Sequence, residues 1–223
     1  MTGPTTPTSG APLLCVDLDG TTVDRNGAWR SWVSAYCAAT GRSLEDAIWM
    51  MDIDAGGLGE RSVVFELICE RFGGDATALY ADYRETVASC IEVLPSVVEG
   101  LERISAAGWT VCAVSNGDGA VQRAKAERTG LSRYFADVVV SGDVGIRKPD
   151  RAIFELAAAR CDTTLATAWM IGDSAPADIG GADAAGMRSI WMTMNRRWDE
   201  ALYAPTASAL TFAEAIDIVL ATD

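Results

Sequence analysis

The chain contains no histidine. That absence removes Ser-His-Asp and Cys-His catalysis, and any zinc or iron site built on imidazole. No two of the six cysteines stand at CxxC spacing; Cys15, Cys37, Cys69, Cys90, Cys112 and Cys161 are scattered. Cys15 and Cys112 fall inside apolar runs, where cysteine acts as a small hydrophobe. Reduced, buried thiols in a cytoplasmic protein are expected, not a disulfide frame or a thiolate metal cluster. Basic residues are scarce: 18 Lys and Arg stand against 31 Asp and Glu, a net charge of −13. A nucleic-acid binder needs the opposite sign, so neither nucleic acid nor an anionic membrane is expected as a partner. No apolar run is long enough to span a bilayer. The start, "MTGPTTPTSGAP", has neither a basic n-region nor an apolar h-region. It reads as a disordered tail over residues 1–11, not as a signal peptide.

What is present is a globular composition, 49% hydrophobic and 22% charged over 223 residues, enough to fill a core without staples. Short apolar runs alternate with helical patterns. "PLLCVDL", "WTVCAVSNG", "DVVVSGD", "AWMIGDS" and "RSIWMTM" read as strands, and most end in Gly, Asp, Ser or Asn. Their apolar residues are continuous, which predicts a sheet covered on both faces. "SVVEGLERISAAG", "GAVQRAKAERTG", "RAIFELAAARC" and "DIGGADAAG" read as helices, the first two stopping at glycine. Strand, helix, strand in repetition is the α/β signature of a parallel, Rossmann-like sheet. Residues 24–93 break the rhythm: about seventy residues pass without a strand, far beyond ordinary connection lengths. "SWVSAYCAATG", "RSVVFELICERFGG" and "ATALYADYRETVASCIEVL" carry helical spacing there. The expected layout is a core of residues 12–23 and 94–223 with a helical insertion at 24–93.

Ligands of open α/β sheets bind at the carboxyl ends of the strands, and the polar residues gather there. Asp17 and Asp19 end the first strand, Ser115 and Asn116 the second, and Asp173 and Ser174 the fourth, with Asp178 close behind; Lys148 follows the third. Clustered carboxylates repel one another, and a hard cation with oxygen ligands is the natural compensation; magnesium is expected on Asp17 and Asp173, with Asp178 a nearby partner. An aspartate there can attack phosphorus. Lys148, the Ser115 hydroxyl and backbone N–H groups around Gly20 and Gly117 can neutralise phosphoryl oxygens. Asp19 can project to the same side as Asp17 and move the proton. Taken singly, each group has a plainer reading: a DxD turn, a surface lysine, a helix cap, an exposed carboxylate. Their convergence in order at four strand ends favours the functional one.

With these residues in view, the sequence resembles the haloacid dehalogenase superfamily of aspartate-nucleophile hydrolases. "DLDGT" (17–21), "VSNG" (114–117), "KPD" (148–150) and "GDSAPADIGGADAAGM" (172–187) match its four motifs in order. The resemblance implies a Rossmann-like core with a mobile cap inserted where residues 24–93 lie. It implies that Asp17 is nucleophile and magnesium ligand. Asp19 is general acid/base with its backbone carbonyl on the metal, and Thr21 supports the first-motif loop. Ser115, Asn116 and Lys148 bind phosphate, and Asp173 and Asp178 serve the metal. Dehalogenases of the family generally lack an acid at the position of Asp19, so its presence argues for phosphate esters. Thr22 departs from the family's usual apolar residue. The implied reaction is magnesium-dependent hydrolysis of a small phosphorylated metabolite through an aspartyl-phosphate. The alternatives are a phosphotransferase or phosphomutase, or a binding module without turnover; a receiver domain is shorter and lacks the insertion. Within "WMMDIDAGGLGERS" (49–62), Gly56, Gly57 and Gly59 allow unusual backbone angles. The segment is expected to be either a specificity loop, in which Arg61 meets a second anionic group of the substrate and Trp49 and Met50 an apolar part of it, or a plain turn between helices with Trp49 and Met50 in the core.

Overall fold

A computed structural model describes residues 10–57 and 61–222. The chain divides into two compact units, one running to Val23 and resuming at Val93, the other Asp24–Glu92. Met1 to Ser9 of the expected tail, and Gly59, lie outside the described residues.

The first unit is an α/β unit. Its elements in chain order begin with β1 (Leu13–Val16) and continue, after the helices α1 to α4 of the other unit, with α5 (Val97–Ala106), β2 (Thr110–Ser115), α6 (Gly119–Arg128), β3 (Asp137–Val140), α7 (Ser141–Val144) and α8 (Arg151–Arg160). There follow β4 (Trp169–Gly172), α9 (Gly180–Ala185), β5 (Arg188–Met192), β6 (Ala207–Ala209) and α10 (Phe212–Thr222). The six strands form one sheet in the order β3-β2-β1-β4-β5-β6, every pair parallel. β1, β2 and β4 are buried along their whole length, which is why their sequences do not alternate. Leu13 and Cys15 of β1 share a cluster with Cys112, Val114, Val139 and Met170 of neighbouring strands, closed by Ile153, Phe154 and Ala157 of α8. The chain leaves β1 to one side for β2 and β3, then crosses back to β4 on the other. The switch therefore falls beside β1, where the carboxyl ends leave a crevice.

Two details differ from the sequence reading. "DVVVSGD" is a strand only to Val140; Ser141 to Val144 turn into a short helix that ends at Gly145, φ 70°. The three-residue strand β6 is absent from the reading because "ASA" has neither β-branched nor aromatic residues. The six cysteines are all free. Four are buried, whereas Cys69 and Cys90 are half-buried.

The second unit is helical: α1 (Arg25–Thr40), α2 (Leu44–Ile53), α3 (Arg61–Phe72) and α4 (Ala76–Cys90). Asp24 caps α1 by accepting from the Gly27 N–H, and Asp75 caps α4. Residues 49–53 of the segment 49–62 are the last part of α2, and Arg61 and Ser62 begin α3. Ser43 and Asp46 form a reciprocal capping box that starts α2. Inside the unit, Trp29 and Trp32 stack at 5.2 Å and meet Phe65 and Tyr83 edge-on. Met50 is fully buried, and Trp49 lies half-buried against Phe72 and beneath Arg71. Among the described residues no helix is long and apolar enough to cross a membrane.

Candidate active site

The end of β1 builds the first part of the site. Its pairing with β4 continues one residue beyond the strand, the Asp17 N–H donating to the Ile171 carbonyl at 3.0 Å. The chain then folds tightly: the N–H groups of Thr21, Thr22 and Val23 all point back to the Leu18 carbonyl. Thr22 explains its own departure from the family pattern. Its buried hydroxyl lies 3.2 Å from the carbonyls of both Asp17 and Leu18, so it ties down the turn that carries the two aspartates. Thr21 is also fully buried, and its hydroxyl has no hydrogen-bond partner among the described residues. At Gly20, φ is 78°, and an added Cβ would sit 2.8 Å from Asp173 Oδ2. Only glycine allows both the left-handed backbone and that approach.

β4 and the turn after it bring the second part. Asp173 follows the strand directly. The Ser174 hydroxyl accepts from the Ala177 N–H while the Asp178 carboxylate accepts from the Ser174 N–H. This reciprocal capping over the π-helical turn Ala175–Ile179 points Asp178 inward, where it is fully buried. Gly172 is a further requirement, since a Cβ there would meet Asp178 at 2.2 Å.

Lys148 joins the two parts. It is 2% exposed, and its Nζ donates to Asp17 Oδ1 at 2.8 Å and to Asp178 Oδ1 at 2.6 Å. Burial pulls the ammonium down, but the two carboxylates outweigh it and hold Lys148 above the ordinary lysine value. Burial pushes the Asp178 carboxyl up to about 6 against the opposing ammonium. Asn116 holds the lysine's backbone from both ends of its amide: Nδ2 donates to the Lys148 carbonyl, and Oδ1 accepts from the Lys148 N–H, each at 2.9 Å. The side chain expected to face phosphate thus grips the segment that carries Lys148. Ser115 is buried at the end of β2 and accepts from Gln122 Nε2 at 2.7 Å. Its own O–H makes one long contact among the described residues, 3.5 Å to the Asn116 carbonyl.

Asp17, Asp173 and Asp178 each offer an oxygen, and these atoms lie within 4.8 Å of one another. The donors are carboxylates alone, a set that suits a hard divalent cation such as magnesium. Against three carboxylates stand Lys148 and Arg196, whose Nη2 donates to the Asp173 carbonyl at 2.6 Å and to Asp173 Oδ2 at 3.3 Å. A divalent cation would offset the mutual repulsion of the three carboxylates.

Three neighbours escape the motif reading. Gln122 and Lys125 of α6 reach Asp19: Lys125 Nζ donates to Asp19 Oδ1 and Oδ2 at 2.6 and 2.7 Å, and Gln122 Nε2 to Oδ2 at 3.0 Å. Both are nearly fully buried, and their i, i+3 spacing on one helix face is the signal that could have found them. Arg196, after β5, extends the strand-end rule to a fifth strand. Arg61, in the helical unit, pairs with buried Asp54 and lies over the Trp29 and Tyr83 rings at 4.5 and 5.2 Å.

Residues 12–186 match the family model described as haloacid dehalogenase-like hydrolase. The ribulose-1,5-bisphosphate 5-phosphatase of Halopiger xanaduensis is 35% identical over 52% of this chain and 49% of its own. The pyrimidine 5'-nucleotidase YjjG of Escherichia coli is 32% identical over 64% of this chain and 63% of its own. The chain thus spans less than two-thirds of the length of either relative. Among solved structures, the HAD-hydrolase YfnB of Bacillus subtilis, bound to magnesium, superposes with a TM-score of 0.83 at 22% identity, covering 94% of this chain and 99% of that one.

Proposed function

The chain belongs to the haloacid dehalogenase-like hydrolases, and from that premise we propose that it hydrolyses the phosphate monoester of a small metabolite, with Asp17 as nucleophile and magnesium as cofactor. The observation that carries this reading is the Lys148 ammonium set between Asp17 and Asp178 at the carboxyl edge of β1 and β4. It holds the Asp17 carboxylate in one orientation and leaves a cation beside the atom that would attack phosphorus. Relatives that include a sugar bisphosphate phosphatase and a nucleotidase support a small phosphorylated substrate.

In the proposed reaction, Asp17 attacks phosphorus, the Asp17–phosphorus bond forms and the bond to the ester oxygen breaks. Asp19 gives its proton to that leaving oxygen. In the second half, Asp19 takes a proton from a water whose oxygen attacks phosphorus, and the Asp17–phosphorus bond breaks. Ser115 turns its O–H from the long contact with the Asn116 carbonyl to a phosphoryl oxygen, and Lys148 supplies positive charge beside it. Thr21 supports the loop that carries both aspartates, and Asn116 acts by fixing Lys148. Asp17, Asp173, Asp178 and the Asp19 carbonyl are the proposed holders of magnesium. When bound, the metal supplies further positive charge against the phosphoryl oxygens. Arg61, whose guanidinium pairs with Asp54 and lies over Trp29 within the helical unit, is the proposed contact for a second anionic group.

The test is release of inorganic phosphate from a panel of sugar phosphates and nucleoside monophosphates, with magnesium and after chelation. Turnover that needs magnesium is expected; turnover untouched by chelation would sink the metal assignment, and none across the panel would sink the phosphatase reading.

A further inference from the structure

We propose that Lys125 and Gln122 are positioning residues for proton transfer: they grip the Asp19 carboxylate from α6 and fix its direction. The inference rests on the acid/base role given to Asp19 above. Three N–H···O contacts from two side chains fall on one carboxylate, at 2.6, 2.7 and 3.0 Å. Asp19 itself remains partly open, its side chain 20% exposed, whereas Lys125's is 6% exposed. Burying an ammonium and an amide is unfavourable unless each finds a partner. The partner found is the one side chain at the site that has to move a proton. Charge-assisted bonds of this length also restrict rotation of the carboxylate.

Gln122 adds a link that a simple ion pair lacks. Its Nε2 faces Asp19 Oδ2, the Ser115 hydroxyl at 2.7 Å and the Asn116 carbonyl at 3.3 Å, while its buried Oε1 has no partner among the described residues. Three acceptors surround the nitrogen, so a flipped amide would set oxygen against oxygen. By accepting from Gln122, Ser115 keeps its own O–H for a substrate oxygen. One amide thus fixes the proton-moving group relative to a phosphate-binding hydroxyl. Asp118 starts α6 by accepting from the Val121 N–H, and the helix carries Gln122 and Lys125 on one face.

The test uses the full chain. kcat/KM is measured for p-nitrophenyl phosphate, whose leaving group departs without a proton, and for an alkyl phosphate that the enzyme turns over, whose leaving group needs one. Lys125→Met is expected to lower the alkyl value by roughly ten- to a hundredfold and the nitrophenyl value by much less. Asp19→Asn is expected to show the same split, and the double variant to lose no more than Asp19→Asn alone. Melting curves separate this pattern from damage to the fold, and Lys125→Gln carries the same expectation if the methionine variant does not fold. Equal losses on both esters, or a double variant whose loss is the product of the single ones, would overturn the positioning role. Absence of a split in Asp19→Asn would instead overturn the underlying acid/base reading.

Discussion

Lys148 Nζ stands 2.8 Å from Asp17 Oδ1 in a place where the lysine is 2% exposed. The pair ties the end of β1 to the segment between α7 and α8, and Asp178, in the turn after β4, adds a second contact at 2.6 Å. Removing the ammonium leaves two carboxylates facing each other out of water. Lys148→Met is expected to destabilise the metal-free protein by about 3–5 kcal/mol, the usual scale for breaking a buried pair from one side. Denaturant unfolding measures it, and a loss under about 1 kcal/mol, the range of exposed pairs, would contradict the account.

Asp178 sets a pH dependence whose sign is fixed. Its ordinary value of 3.8 is raised to about 6 by burial, with the Lys148 ammonium opposing. The folded protein therefore holds this proton more tightly than the unfolded chain does. The resulting contribution to stability is full below the ordinary value and is lost as pH rises through about 6. In metal-free protein, the stability of the parent relative to Asp178→Asn is expected to fall across that window. Unfolding free energies of both proteins, measured from pH 4 to pH 7, check it; a flat difference would show that the carboxyl is not raised.

Gly20 and Gly41 make a matched comparison. Both have positive φ, 78° and 67°, but a Cβ at Gly20 meets Asp173 Oδ2 at 2.8 Å while nothing lies within 4 Å at Gly41. Each change to alanine is expected to lower stability by roughly 1–2 kcal/mol for the left-handed backbone. Only Gly20→Ala is expected to weaken magnesium activation as well, by displacing the Asp173 carboxylate. Magnesium titrations of activity distinguish the two; equal behaviour would mean that Asp173 does not serve the metal.

Arg196 is expected to act on the metal through Asp173, not on stability. Its side chain is 34% exposed and the contact to Oδ2 is long, 3.3 Å. Arg196→Ala is expected to shift the midpoint of thermal unfolding little and to raise the magnesium needed for half-maximal activity roughly tenfold, the scale on which partners of metal ligands act. An unchanged magnesium requirement would remove Arg196 from the site.

The sheet was legible because β1, β2 and β4 are buried on both faces, and so their sequences are unbroken apolar runs. β6 was not, since Ala207–Ala209 has no side chain that favours a strand and takes its place by pairing with β5. At the site, Asp17, Ser115 and Asp173 could be found by asking what stands at or just beyond a strand's end, and Lys148 by its place in the segment that follows β3 and α7. Gln122 and Lys125 escaped that rule because they lie on a helix, where a polar residue is read as facing water. Their burial follows from how α6 packs, which spacing alone does not reveal. The use of both ends of the Asn116 amide on the Lys148 backbone was equally hidden, since it depends on a contact 32 residues away in sequence.

The proposed attack of Asp17 on phosphorus stands or falls on the Asp17→Asn variant. The variant and the parent are assayed with p-nitrophenyl phosphate and with the best metabolite of the panel, in magnesium, after circular dichroism shows that both are folded. The account expects the variant's turnover to fall to the background of the uncatalysed reaction with both substrates. Full magnesium-dependent turnover by Asp17→Asn would contradict it.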